Sequence, residues 1–380
     1  MSCIPDDKSA LEECYTNEAE RGLAAHDGHI NLSGPNAEPE LYLGVSPSSV
    51  KQSNKKHREH TTHSGHSSHS GHRPHSPHRN TTLKIHKTLR IPPRRLAFCG
   101  GGVRCVGHVG VLKALAQANI LGCVKEVVGI SAGALFGLMI ILGYTVPQME
   151  ELAIAFDFNL LGEMNPDYIL EFPLTYGLNP GDSLDKLLAS ILKQKGFSPD
   201  ITFAQITKDK RIRKTFRCYA ADLKTSVVKE LSYEKTPEMS VLKAIRASMS
   251  LPILYTPVKE GDSLLVDGGL IHNLPLAFLK EEEISETWAV IFSPDVNTGE
   301  NPLNSLFDYL KYIMNGLMYM RNVPYIDKYH ERIIMIKSEF DALGFSVSSE
   351  TRAKFIEDCR KATHTFLHSS NKPARRFSAA

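Results

Sequence analysis

Three short stretches hold residue types that together can attack an acyl carbonyl. The first is "GISAG", residues 129–133, where Ser131 ends one apolar run and opens another. In a G-x-S-x-G pattern, small residues on both sides let a strand turn sharply into a helix. The corner (Gly129, Ile130, Ser131, Ala132, Gly133) lifts the serine oxygen clear of the sheet, at a helix N-terminus whose dipole favours developing negative charge. The competing reading is a capping serine that only starts the helix. The second stretch is "GGGVR", Gly100, Gly101, Gly102, Val103 and Arg104. It follows a predicted strand and opens a helix, so its backbone N–H groups lack intrahelical partners and can hold an oxyanion. Arg104 adds positive charge beside them, and the competing reading is a tight turn. The third is "LLVDGGLIHNLP", residues 264–275, in which Asp267 ends a strand and Gly268 and Gly269 follow. Asp267 is a candidate base for the serine; as a bland alternative, Asp-Gly is a common turn pair.

Two histidines compete with Asp267 for the role of base. His272 lies five residues beyond it and His108 stands in the first turn of a predicted helix. Capping or packing is the expectation for both. A nucleotide site is excluded. Cys105 occupies the position where a G-x-G-x-x-G fingerprint needs its last glycine, no G-K-[ST] follows, and Glu126 sits near the start of the second strand, not at its end. The chemistry needs no cofactor, and the core shows no cluster of metal ligands.

Positioning these groups requires strands that end together. "RRLAFCGGG" (94–102) reads as a buried strand entering the glycine loop. "GHVGVLKALAQAN" (107–119) has the apolar spacing of a helix, "VKEVVGI" (124–130) is a second strand, and "AGALFGLMIILG" (132–143) a second helix. This alternation predicts a three-layer α/β/α fold around a mostly parallel central sheet. Further strands are expected at 214–223, 226–233, 263–269, 287–294 and 332–338. Helices are expected at 183–194, 240–250, 304–320 and 348–367. Asp267, at the carboxyl end of its strand, then faces the same sheet edge as Ser131, where ligands bind in such folds.

Apolar clusters are confined to residues 83–367 of the 380, so one domain is expected there. A disordered tail (1–82) should precede it and a short flexible tail (368–380) follow. The net charge of +2 names no partner, but its distribution is uneven. Residues 1–50 carry nine acids and two bases, whereas residues 51–95 carry eleven Lys or Arg and one acid, Glu59. Such a basic segment suits an anionic lipid surface or nucleic acid, or a solvated linker. Within 54–80 histidine recurs every third residue from His57 to His78, eight in all. A polyproline II helix would stack these rings on one edge, able to hold a metal loosely; an expanded, tolerated repeat is the simpler account. Seven cysteines with no C-x-x-C pair fit free thiols in a reducing compartment. The acidic N-terminus lacks a signal-peptide core, and the longest apolar run, 134–144, is well short of the roughly 20 residues of a membrane span. A cytoplasmic or peripheral membrane location is expected.

Taken in order, "FCGGGVRCVGHVGVLKAL", "GISAGA" and "DGGLIHNLP" resemble the oxyanion loop, nucleophile elbow and D-G-[GA] box of patatin-like phospholipases. "AADLKT" (220–225) and "AIRASMSLPILYTPV" (244–258) resemble stretches that lie between elbow and acid in that family. The resemblance implies a Ser131–Asp267 dyad, no metal or cofactor, and hydrolysis of phospholipids, lysophospholipids or other acyl esters through an acyl-enzyme. It implies contact with a membrane surface, anionic if the basic segment takes part, and no nucleic acid. A serine transacylase or a lipid-binding adaptor on the same fold remain alternatives. The family's loop usually reads G-G-G-x-[RK]-G, and Cys105 replaces its last glycine. Either the backbone there accepts a side chain or the helix start has shifted. Residues 156–177 and the helix at 304–320 are expected to line an acyl channel, touch a membrane, or join the core.

Overall fold

The computed structural model describes residues 90–163, 166–294, 306–338 and 340–369. The expected N-terminal tail with its histidine tract, and residues 370–380, lie outside the described residues. Among the described residues the strands are, in chain order, β1 Arg95–Phe98, β2 Glu126–Ile130, β3 Gly177–Asn179, β4 Thr215–Asp222 and β5 Val227–Ser232. They continue with β6 Ile253–Tyr255, β7 Val258–Glu260, β8 Ser263–Asp267, β9 Thr287–Pro294 and β10 Ile333–Ser338.

Five of these, in the order β10-β9-β1-β2-β4, pair in parallel and form the centre of an eight-stranded sheet. "RLAF" and "EVVGI" are buried on both faces almost throughout, as parallel strands between two helical layers must be. On one face, the helices Gly107–Gln117 and Ser349–His368 pack on each other, and Ala132–Ile141 lies on β2 and β4. Phe292 and Trp288 point to that side, against Phe355 and Phe366 of the last helix. The other face is covered by the segment 275–285: Tyr219 meets Phe278, and Arg217 hydrogen-bonds Glu283. The expected three-layer α/β/α architecture is present.

Glu126, poorly placed for a ribose, has a structural role on this second face. Its carboxylate ties Arg95 of β1 (2.6 Å) to Arg217 of β4 (2.5 Å) across β2, so three neighbouring strands share one ion-pair network. These groups are largely buried, where removing one partner would strand the others without compensation.

The far side of the sheet departs from the expectation of parallel strands. β5 and β8 both run antiparallel to β4, and β7 pairs antiparallel with β8. β5 fills one edge of β4 along 217–222. On the other edge β2 pairs with residues 215–219 and β8 with 220–222, so β2 and β8 abut end to end. Five helical segments, Val146–Ala155, Asn159–Gly162, Pro166–Thr175, Phe203–Lys208 and Glu281–Ser285, were not expected. The helix expected at 304–320 is described from Leu306 to Tyr329 and continues through Pro324.

Candidate active site

The end-to-end junction on β4 is where the candidate residues meet. Ile130, the last residue of β2, lies opposite Tyr219, while Asp267, the last of β8, lies opposite the next residue, Ala220. Ser131 therefore leaves β2 at the row where Asp267 ends β8. The two strands run in opposite directions and finish at one point. Ser131 has φ 55° and ψ −134°, a left-handed backbone that non-glycine residues seldom adopt. Its side chain does not cap the helix that follows. It acts instead on the Asp267 carboxylate, whose pKa it lowers. The capping reading is thus set aside.

Close approach explains the elbow's glycines. A Cβ on Gly133 would stand 2.4 Å from the Phe98 carbonyl oxygen, and one on Gly129 would stand 2.5 Å from Ala134 Cα. The strained corner is held from beneath by a residue the motifs do not reveal. Ser131 N–H donates to Ser248 Oγ (3.0 Å), and the buried Ser248 hydroxyl donates to the Tyr219 carbonyl (2.7 Å).

Asp267 is buried, with 4% of its surface exposed. Its backbone N–H donates to the Ser250 carbonyl (2.8 Å), and its Oδ1 accepts from Gly269 N–H (2.7 Å). Burial pushes its pKa up to about 6, against the opposing pull of Ser131 and of the Gly269 hydrogen bond. A carboxylate so desolvated is a much better base than one in water.

The glycine loop closes the third side. A Cβ on Gly100 would lie 2.7 Å from both Ser131 Cβ and Asn273 Oδ1, so only glycine lets the loop come this near the serine. Of the five expected oxyanion donors, three have N–H groups that are already engaged. Gly100 N–H donates to Asn273 Oδ1 (2.9 Å), Val103 N–H to the Ala342 carbonyl (2.9 Å), and Arg104 N–H to the Gly101 carbonyl (3.1 Å). Gly101 and Gly102 stand at the start of the 3-10 turn Gly102–Val106, where N–H groups have no intrahelical acceptor. Gly102 has φ 53°, and a Cβ there would meet the Ala342 carbonyl. The Arg104 guanidinium is buried, which lowers its pKa, and the charge of Asp341 draws it the other way.

Residues 96–280 match the family model for patatin-like phospholipase. That stretch of the chain is similar to the patatin-like phospholipases, as its motifs implied. Among curated relatives, an uncharacterized protein of Acanthamoeba polyphaga mimivirus is 27% identical over 282 residues, covering 70% of this chain and 90% of the relative. A probable lipid hydrolase of invertebrate iridescent virus 6 is 25% identical over 270 residues, covering 70% and 89%. Among solved structures, VipD from Legionella pneumophila superposes with a TM-score of 0.46 at 14% identity, covering 73% of this chain and 67% of VipD.

Within this patatin-like domain neither histidine approaches the role of base. His108 is fully buried; its Nε2 pairs with the Cys99 carbonyl (3.0 Å), and Phe98, Phe136 and Phe292 surround its ring. Burial pushes its pKa down to about 3, so it is a neutral core residue. His272 packs on Phe278 and Tyr325, and burial and then Arg321 lower its pKa. Cys105, the departure from the family's loop, is buried in the 3-10 turn with its Sγ 3.6 Å from the Cys99 carbonyl, and it is not among the residues with positive φ. The backbone there does not require glycine. Among the described residues no group of three or more His, Cys, Asp or Glu is arranged to hold a metal ion, and no helix is long and apolar enough to cross a membrane.

Sequence reading missed Asn273, Ser248 and Ser250. Asn273 clamps Gly100 twice, accepting from its N–H and donating from Nδ2 to its carbonyl (3.1 Å). Ser248 and Ser250 lie within the stretch "AIRASMS", already noted for its likeness to the family, and that likeness was the available signal.

Proposed function

We propose that this domain is a lipid acyl hydrolase of the phospholipase A or lysophospholipase type, working through a Ser131–Asp267 dyad. The observation that carries this reading is the meeting, where β2 and β8 end on adjacent rows of β4, of a strained, uncapped serine and a buried carboxylate, beside a glycine loop with two N–H groups at a helix start. As the Ser131 oxygen bonds to the ester carbonyl carbon, Asp267 takes the hydroxyl proton. The carbonyl oxygen gains charge and is held by the Gly101 and Gly102 N–H groups; each donor of this kind typically contributes roughly 3–4 kcal/mol to the transition state. Collapse breaks the bond to the leaving alkoxide, which takes the proton from Asp267 and departs as the alcohol. Water then attacks the acyl-serine as Asp267 accepts its proton; collapse breaks the bond to the serine oxygen, which takes that proton from Asp267, and fatty acid leaves. Asp267 serves twice, and no histidine is needed.

The substrate class follows from the family and from the apolar surface around the site. A fluorophosphonate probe should label Ser131. Purified protein should release fatty acid from labelled phosphatidylcholine or its lyso form, and Ser131→Ala and Asp267→Asn should each abolish release. Turnover that survives Asp267→Asn would overturn the dyad.

A further inference from the structure

Two helices beside the site turn apolar faces outward. In Leu306–Tyr329, the side chains of Tyr309, Ile313, Leu317 and Met320 are 42–71% exposed. Spacings of four, four and three residues place them on one stripe of the helix. The rest of the helix is anchored at the acid box: it packs on residues 268–270, Arg321 donates to the Ile271 carbonyl, and Asn322 Oδ1 accepts from Leu274 N–H.

The second helix, Pro166–Thr175, exposes Ile169, Leu170 and Leu174, with Tyr176 just beyond it, by 56–83%. Its flanks lead to opposite sides of the site. Gly162, before it, lies against Phe345, in the loop whose Ala342 carbonyl holds Val103. Gly177, after it, pairs with Ile253, three residues past Ser250, whose carbonyl holds Asp267. The helix therefore connects the oxyanion-loop side to the acid side. Seven large apolar side chains on the two helices, with Tyr176 beside them, make exposed apolar stripes of the kind that mark an interaction surface.

Charge selects the occupant. The basic segment 51–95 enters the domain at Arg90, whose guanidinium hydrogen-bonds the Glu331 carbonyl and Ser369 Oγ. Glu331 lies two residues past the striped helix, eleven positions beyond Met320, about 16 Å at helical rise. A strongly cationic length of chain thus joins the domain at the end of an apolar stripe. That pairing suits a surface with an anionic face over a hydrocarbon interior.

We propose that the outer faces of Pro166–Thr175 and Leu306–Tyr329 seat on an anionic phospholipid bilayer, with the segment 51–95 supplying the electrostatic attraction. This rests on the acyl-hydrolase reading, and it adds the surface through which the enzyme reaches its substrate. The test is co-sedimentation of the full-length protein with vesicles of phosphatidylcholine, with and without phosphatidylserine. Binding should be at least about tenfold stronger with phosphatidylserine and should weaken as salt rises. The double variants Leu170→Glu/Leu174→Glu and Ile313→Glu/Leu317→Glu should each lose at least about tenfold in vesicle binding, since each puts two charges on an apolar contact. Both should keep native circular dichroism and wild-type hydrolysis of a short-chain soluble ester. Wild-type vesicle binding by folded variants would overturn the proposal. So would stripe-dependent dimerisation in place of vesicle binding, which would assign the surface to a second copy. Probe labelling of Ser131 and soluble-ester turnover test the dyad without vesicles. Failure there with intact, stripe-dependent binding would sink the hydrolase reading and support the surface.

Discussion

Replacing Asp267 with asparagine should make the protein more stable while it stops the reaction. In the folded chain burial pushes the Asp267 pKa from 3.8 to about 6. Between these values the native state holds a proton that the unfolded chain has released. Stability therefore falls as pH rises through that window, by up to about 1.4 kcal/mol per pH unit. By pH 7 the loss is about 3 kcal/mol, a large part of the 5–15 kcal/mol typical of a folded protein. Asparagine has no charge to desolvate, and its Oδ1 can still accept from Gly269 N–H. Asp267→Asn should thus gain up to about 3 kcal/mol over wild type at pH 7, with the gap closing as pH approaches 3.8. Urea unfolding at about pH 4 and pH 7, with the slope checked for constancy, measures both quantities. A variant less stable than wild type at pH 7, or a gap that does not change with pH, would refute the account of Asp267 as a buried and reluctant anion.

The same carboxyl sets the pH dependence of catalysis. Because the base works only when ionised, kcat/KM on a soluble ester should rise about tenfold per pH unit below about 6 and level off above it; a flat profile down to about pH 4.5 would remove Asp267 as base. Asn273→Ala frees both polar groups of Gly100 and loosens the oxyanion loop. We expect kcat to fall about 10- to 100-fold with little change in KM, and stability to drop by about 1–3 kcal/mol. A folded Asn273→Ala variant with kcat within about twofold of wild type would show that the clamp does not position the loop.

What could be read from the sequence and what could not divides along a physical line. That Ser131, Asp267 and the glycines would meet was legible because the proposed chemistry dictates both residue type and immediate neighbours. β1, β2 and the helices after them were legible because their apolar periodicity is strong. The direction of β8 was not inferred, since "SLLVD" reads alike in either sense. A signal was nonetheless present: Gly261 and Asp262 form a two-residue link between β7 and β8, and Gly-Asp between short apolar runs marks a hairpin. Asp267 was expected at the right edge for an incomplete reason. It arrives there because an antiparallel strand ends where β2 stops, not because its strand is parallel. Ser248 and Asn273 were illegible for a different reason. Each acts on a backbone group more than a hundred residues away, and only the fold brings the two together.

Those distant supports explain why two unfavourable local states persist in one place. A serine at φ 55° carries strain of order 1–3 kcal/mol, and a buried carboxylate adds about 3 kcal/mol near neutral pH. Neither would survive unless its surroundings over-determined it. Ser248 ties the Ser131 N–H to β4, the Ser250 carbonyl ties the Asp267 N–H to the chain just after the same helix, and Asn273 fixes Gly100 against both. The proposed nucleophile and base are thus fastened to one short stretch, residues 241–250, so a shift of that stretch would move both together. Cys105 fits the same logic from the other side. It sits beneath the loop in an ordinary conformation, takes no part in the clamp, and leaves the approach of Gly100 to Ser131 undisturbed.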